Sequence, residues 1–286
     1  MPALIFAFIS YFAWGIGLVF EAIAGRKIES NSATFWGLAL GFILSLFYVP
    51  FALPDLSNLN FSTVVINLFV AFFWIGGTIV YYEALKKGNP SLVGTIASSF
   101  PVIVVILSIL FLHETVNLSQ ALAIIIIFVG LGLSSLNFKS LTKKQLFENK
   151  GTFLALIVMI SWGIALTFIK IPITTIGWFW PNFFVFALAP LFLIYMKSRN
   201  VKLEFPKSKI FLALIISIIL VRIAEYSYNI GLSKGFASIV APIAGANPTL
   251  FIPLAFLVFK EPITKLQIVG IIITLIGIVA LSVSSI

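Results

Sequence analysis

The stretch from Arg222 to Glu261 reads RIAEYSYNIGLSKGFASIVAPIAGANPTLFIPLAFLVFKE. It sets an arginine and a glutamate inside an apolar segment and breaks at Ser233-Lys234-Gly235. It then runs through Pro242, Pro248 and Pro253 and stops at Lys260-Glu261-Pro262. Sliding it back by 147 positions lays Tyr228 on Tyr81, Lys234 on Lys87, Gly235 on Gly88 and Ser238 on Ser91. The same register pairs Pro248 with Pro101, Glu261 with Glu114, Gln267 with Gln120 and Gly277 with Gly130. Agreement among Ile, Leu and Phe is cheap in an apolar chain; agreement among Gly, Pro, Glu and Gln in one register is not. The chain is therefore read as an internal duplication.

Composition sets the solvent. The 286 residues are 61% hydrophobic and 9% charged, with a mean hydropathy of +1.17. Soluble domains run at about 45–50% apolar and about 25% charged, so this surface must face lipid. Cysteine is absent and His113 is the lone histidine, which argues against disulfides, thiolate metal sites and histidine-based catalysis. The net charge of +9 does not point to nucleic acid. The basic residues fall in short loops between apolar segments, where they mark topology. Met1-Pro2-Ala3-Leu4 lacks a basic n-region, so the first segment is expected to be retained.

Spans of roughly 20 apolar residues are expected at 3–24, 31–52, 62–84, 91–112, 118–137, 151–170, 176–196, 209–232, 236–258 and 265–285. The tight breaks near Lys86–Ser91 and Ser233–Phe236 predict antiparallel hairpins. Trp14-Gly15-Ile16 and Trp162-Gly163-Ile164 open the two halves. The predicted fold is an all-α membrane protein, ten transmembrane helices as two inverted five-helix repeats. The first repeat would cover 1–137, a basic linker 138–150, and the second repeat 151–286. Five spans per half is odd, which is why the second half must lie upside down. Loops after the odd-numbered spans hold fifteen of the Lys and Arg residues, and those after the even-numbered ones hold Lys170 and Lys234. That bias places the odd loops in the cytoplasm and both termini outside.

With this layout the chain resembles the EamA family of the drug/metabolite transporter superfamily. The residues that carry the likeness are Trp14-Gly15, Trp162-Gly163 with Lys170 eight positions on, and Tyr82-Glu83-Ala84-Leu85-Lys86. Pro101 followed by Glu114, Pro248 followed by Lys260-Glu261, Gly130 and Gly277 complete the pattern. The resemblance implies a ten-helix bundle in the plasma membrane that moves small metabolites by alternating access. It leaves the substrate open among amino acids, other metabolites, drugs and sugar-nucleotides. Two departures stand out: Ala22 occupies the first-repeat position of Lys170, and the family usually keeps both termini cytoplasmic.

Ionisable groups inside a bilayer cost about 2.5–3.5 kcal/mol each by insertion scales and face cavities or partners. Arg222, Glu225, Tyr226 and Asn229 share one helix face at i, i+3, i+4, i+7. Arg222 is the candidate anchor for a substrate carboxylate or phosphate, with Glu225 taking an ammonium or a proton. The competing reading is an internal salt bridge that locks the helix. Ser10, Trp14, Gly17 and Glu21 line up on the first span; Glu21 is either a proton-coupling carboxylate or a partner of Arg26 or Lys170. Asn67, Trp74, Thr78 and Tyr81 form a stripe on the third span, and Lys170 has either a snorkelling structural role or a place in the site. Pro101, Pro242, Pro248 and Pro253 free backbone carbonyls beside Ser98, Gly245, Asn247 and Thr249, which suits a substrate wall or hinge as well as static kinks. Gly37-x-x-x-Gly41 permits close helix contact, inside a monomer or in a weak homodimer.

Neither a phosphate-binding glycine loop nor a nucleophile elbow is present. The expectation is a non-enzymatic secondary transporter of a small polar or zwitterionic, amino-acid-like metabolite, with no cofactor or metal, driven by a proton or ion gradient, by exchange, or by the substrate's own gradient. Its substrate contacts are expected from Arg222, Glu225, Tyr226, Asn229, Trp14, Glu21, Thr78, Tyr81, Ser98, Trp162, Gly245 and Asn247. The alternatives are an exporter of lipophilic cations, a lipid-linked sugar flippase, or a sensor or assembly partner without flux.

Overall fold

A computed structural model describes residues 1–135, 150–260 and 262–286. Helix α1 (Pro2–Gly25) is one continuous rod, begun by a proline whose missing N–H is no loss at that position. Helix α2 (Ser30–Leu46) is opened by Glu29, whose carboxylate accepts the N–H groups of Asn31 and Ser32 at 2.9 and 2.7 Å. It turns through 71° into α3 (Val49–Ala52) and the 3₁₀ turn Leu53–Asn58, where Pro50 and Pro54 forbid a straight continuation. Helix α4 (Phe61–Lys87) is capped by Asn60, which accepts from Thr63 N–H. The predicted fourth span is two pieces, α5 (Pro90–Ala97) and α6 (Pro101–Phe111), parted at Ser98–Phe100. Helix α7 (Leu118–Ser135) ends the first half.

The second half repeats this order. Helix α8 (Lys150–Phe168) runs on into α9 (Lys170–Ile176), and Gly177, at φ +76°, turns the chain into α10 (Trp180–Phe186) and α11 (Ala189–Ser198). Helix α12 (Ser208–Lys234) leads by the short Gly235 turn into α13 (Ala237–Ala244) and α14 (Pro248–Phe259), parted at Gly245–Asn247, and α15 (Lys265–Ser284) closes the chain. Pro101 and Pro248 each start the second piece of a broken span, as the duplication requires. Among the described residues eight helices are fit, by length and apolarity, to cross a membrane, and the bent α2–α3 unit makes nine. Each of the ten expected segments thus has a helical counterpart. The remaining one, α7, spans about 27 Å at ~1.5 Å per residue, just short of the ~30 Å hydrocarbon core.

The halves exchange partners. Ser10 Oγ on α1 donates to Ala224 O on α12 at 2.8 Å; Gly17 faces Leu220 and Val221, and Ala3 faces Gly231 and Gly235. The two helices therefore run antiparallel. The same relation joins α4 to α8: Gly88 lies against Gly151, Gly77 against Ser161 and Trp162, and Phe69 stacks edge-on to Phe168. Trp14 meets Tyr228 at 5.5 Å between ring centroids, and Trp162 meets Tyr81, the counterpart of Tyr228, at 5.0 Å. The last helices of the halves, α7 and α15, are likewise antiparallel: Ile127 faces Gly277, Gly130 faces Thr274, and Ser134 faces Gly270. Each helix runs opposite to its duplicate, so the repeat is inverted.

These contacts also sort the loops onto two faces. Gly25 packs on Tyr82 and Leu85, Gly88 on Gly151, and Glu29 N–H donates to Glu204 at 2.8 Å. That face carries Arg26, Lys27, Lys86, Lys87, Lys202, Lys207 and Lys260. The opposite face gathers Lys170, Glu114, Gly235 and Asp55.

Candidate functional site

Two cavities are stacked along the bundle axis. The larger encloses ≈ 770 Å³, counting its open part, and reaches toward the basic face. Helix α1 supplies Trp14, Leu18 and Glu21; α2 supplies Thr34, Gly37 and Leu38; α4 supplies Trp74, Thr78 and Tyr82. Trp162 comes from α8, Ser217 and Arg222 from α12, and Ser98 and Asn247 from the breaks of the two interrupted spans. Both halves thus contribute. The smaller cavity, ≈ 270 Å³ counting its open part, lies nearer the opposite face and is lined by Val70, Ile169, Asn182, Glu225 and Asn229, among others. Trp74 and Leu166 line both and form the partition.

Arg222 and Glu225 bridge that partition. Arg222 lines the larger cavity and Glu225 the smaller, and Nη2 donates to Oε1 across 2.9 Å. Both side chains are buried, at 12% and 3% exposure. The guanidinium stacks over the Phe186 ring, 4.1 Å to the centroid, which holds its plane as a cation–π pair. Gly41 leaves the room: a Cβ there would lie 3.2 Å from Arg222 Nη1 and 3.3 Å from Phe186 Cγ. The small residue of the Gly37–Gly41 motif therefore serves the arginine inside the monomer.

Glu21 sits at the wall of the larger cavity, accepting from Tyr82 Oη at 3.1 Å and interacting electrostatically with Arg222. Its partner is a tyrosine rather than Arg26 or Lys170. The interior cluster holds one guanidinium and two carboxylates. Several polar atoms here have no partner: Trp162 Nε1, Asn247 Oδ1, Arg222 Nε and Glu225 Oε2. A buried polar group left unmade costs about 1–3 kcal/mol. Four such atoms lie around the two cavities.

Of the expected contacts, Trp14, Glu21, Thr78, Ser98, Trp162, Arg222 and Asn247 meet around the larger cavity, and Glu225 and Asn229 around the smaller. Three lie elsewhere. Tyr226 Oη hydrogen-bonds Ser45 Oγ at 2.6 Å and its ring stacks on Phe179 at 5.6 Å. Tyr81 is fully buried behind Trp162. Gly245 packs on Pro101, so it serves the break and lines neither cavity. Asn182, Phe186, Thr34 and Tyr82 were not foreseen. A signal for Asn182 was present in the sequence: it is the one amide in an aromatic run, Trp178 to Phe186.

Lys170 is held, largely covered, in an ion pair at the face opposite the basic one. Its Nζ donates to Glu114 Oε1 at 2.6 Å and to Gly235 O at 2.8 Å. Glu114 also accepts the N–H groups of Ala237 and Ser238, both at 2.8 Å, and the Ser238 hydroxyl at 2.7 Å. A carboxylate from one half thereby caps a helix of the other.

An inverted pair of helical units around a partly polar chamber, with interrupted helices in its wall, is the build of a membrane transporter. The EamA-like transporter family profile matches residues 1–136 and again 149–283, and the chain belongs to that family. An uncharacterized protein of Methanocaldococcus jannaschii is 35% identical over 130 residues, 43% of this chain and 89% of its own length. An uncharacterized transporter of Archaeoglobus fulgidus is 26% identical over 152 residues, and the match spans only 52% of that relative. One crystal structure superposes with a TM-score of 0.77 over 98% of this chain and 96% of its own, at 15% identity; that likeness speaks for the fold alone.

Proposed function

We propose that this multi-pass membrane protein is a secondary transporter of a small zwitterionic, amino-acid-like metabolite, working by alternating access. The observation that carries the reading is the Arg222–Glu225 pair on the partition between two stacked cavities, with Glu21 close by. Arg222 is the anchor for a carboxylate, since its planar fork matches that geometry. Glu21 faces the ammonium end. Trp14, Trp74 and Trp162 give the apolar part a rigid aromatic wall, and the unpartnered Trp162 Nε1 and Asn247 Oδ1 supply a donor and an acceptor. The breaks at Ser98–Phe100 and Gly245–Asn247 are the hinges about which the interrupted spans would tilt.

The test is counterflow of a metabolite panel in proteoliposomes together with thermal shift of the purified protein, which rises when a ligand binds only the folded state. Amino-acid-like hits that vanish in Arg222→Ala support the reading. A second reading, export of lipophilic cations, draws on the three tryptophans beside Glu21. It requires the opposite pattern: transport that survives loss of Arg222 and dies in Glu21→Gln. No flux and no shift with any metabolite would sink both.

A further inference from the structure

The smaller cavity holds polar groups that the substrate reading leaves without work. Glu225 spends Oε1 on Arg222, while Oε2 is buried without a partner. Asn229 donates its Nδ2 to Trp178 O at 3.0 Å, which leaves its amide oxygen for the cavity. Asn182, 6% exposed, lines the same space and makes no side-chain hydrogen bond to any described residue. Three oxygen acceptors, from a carboxylate and two amides, thus border one small chamber. The rest of its wall, Val70, Trp74, Val185, Leu166 and Ile169, is apolar.

Charge points the same way. Arg222 is hydrogen-bonded to Glu225 and lines the larger cavity together with Glu21. With both carboxylates ionised this interior carries one negative charge too many, which is costly away from water. A hard, singly charged ion suits both the deficit and the donors, because carboxylate and carbonyl oxygens favour hard cations over soft ones.

We infer that the smaller cavity is a monovalent alkali-cation site, held by Glu225 Oε2 and the side-chain oxygens of Asn182 and Asn229. It is distinct from the larger chamber but joined to it through Arg222. The inference rests on the transporter reading for its purpose, since a cation bound there would act on the guanidinium that anchors substrate. Occupancy of the site frees Arg222 from part of its attraction to Glu225 and leaves the fork available to an anionic group. The cation and the substrate anion would then favour each other's binding, which is reciprocal by linkage.

The experiment melts the purified full chain in NaCl and in N-methylglucamine chloride at equal ionic strength and fixed pH. The expected result is a saturable rise in Tm with sodium. Asn182→Ala should weaken the sodium midpoint by at least the roughly ten- to hundred-fold typical of losing a metal-site partner, and Glu225→Gln should abolish the rise. Should Glu225→Gln fail to fold, Asn182→Asp carries the test, because an added carboxylate should lower the sodium midpoint. Equal melting in the two salts overturns the inference, as does a sodium effect untouched by Asn182→Ala, or a melting point that follows pH and ignores sodium. Flux in liposomes with N-methylglucamine on both sides keeps the two claims apart: transport that continues there, with no sodium shift, removes the cation site and leaves the transporter.

Discussion

Lys170 Nζ stands 2.6 Å from Glu114 Oε1, and through that contact the start of α9 is tied to the loop before α7 and to the N-terminus of α13. The bridge closes the face opposite the basic one, just beyond the smaller cavity. Its duplicate is incomplete, since Ala22 takes the place of Lys170 in the first half. Among the described residues this bridge stands at the face opposite the basic one, and the larger cavity lies toward the basic face.

Lys170→Ala should therefore destabilise the closed face. Removing one member of a buried pair typically costs about 3–5 kcal/mol, because the remaining charge is stranded. Two main-chain N–H groups and a hydroxyl still serve Glu114, so the low end is expected. Single-cysteine variants are ready reporters in a chain that has no cysteine. Labelling of Asn229→Cys from the opposite face should rise several-fold in the Lys170→Ala background; unchanged labelling would show that the bridge is not a latch.

Acid should act on the same bridge. Burial pushes the Glu114 carboxyl up, but the Lys170 ammonium and the N–H groups of Ser238 and Ala237 outweigh it and hold the group below its ordinary 4.5. A depressed carboxyl contributes stability that is complete above the ordinary value and is lost as pH falls through the folded one. Tm should thus drop as pH is taken below about 4.5. Glu29 slopes the same way: burial raises it, and its bonds to Asn31 and Ser32 prevail and lower it. The drop should be shallower in Glu114→Gln, and an identical profile would exclude the bridge as its cause.

Gly41→Ala separates binding from stability. Alanine is favoured over glycine in a helix by about 1 kcal/mol, yet its Cβ would press on Arg222 Nη1 and the Phe186 ring. Ligand affinity should fall while Tm holds or rises. A fall in both would mean that the guanidinium cannot yield and that the helix pair is strained instead.

Trp162→Phe removes a buried donor with no partner and keeps a ring for Trp74, stacked at 5.7 Å, and for Tyr81. If that donor meets substrate, affinity should drop by about 1 kcal/mol, the worth of one hydrogen bond, with little change in Tm. Unaltered affinity would assign the indole to packing alone.

Gly130→Val tests the α7–α15 contact. A Cβ at Gly130 would lie 2.5 Å from Thr274 N and 2.7 Å from Gly270 O, both main-chain atoms that cannot swing aside. Overpacking typically costs about 1–3 kcal/mol, and this site should reach the top of that range in thermal melts. Gly132→Val, where nothing lies within 4 Å, should be tolerated.

The sequence announced what depends on composition and on register. Broken spans follow from Pro101 and Pro248, the inversion from an odd number of segments, and the buried arginine from a charge that lipid would not tolerate. Depth along the bundle was harder to foresee. Arg222, Glu225 and Asn229 share a face, but that face crosses a partition set by Trp74 and Leu166 from other helices. Tyr226 belongs to the same stripe by spacing, yet it turns to Ser45 and Phe179 because the α2 bend carries a hydroxyl to it. Lys170 was open between a snorkelling structural role and a place in the site for the same reason: its partner, Glu114, is distant in sequence and close only in the folded chain.

The exchange of α1 with α12 and of α4 with α8 has a consequence for ancestry and for engineering. Neither half keeps its longest helices company; each lends them to the other. A severed half would present bare Trp14 or Trp162 stripes where its twin should be. Its natural remedy is to dock, head to tail, onto an equivalent half. The Methanocaldococcus relative, matched along 89% of its length by less than half of this chain, is of the size that such a pairing would use. Joined in one chain, the two copies need not be alike: one carries Arg222 and Lys170 where the other has Ile75 and Ala22.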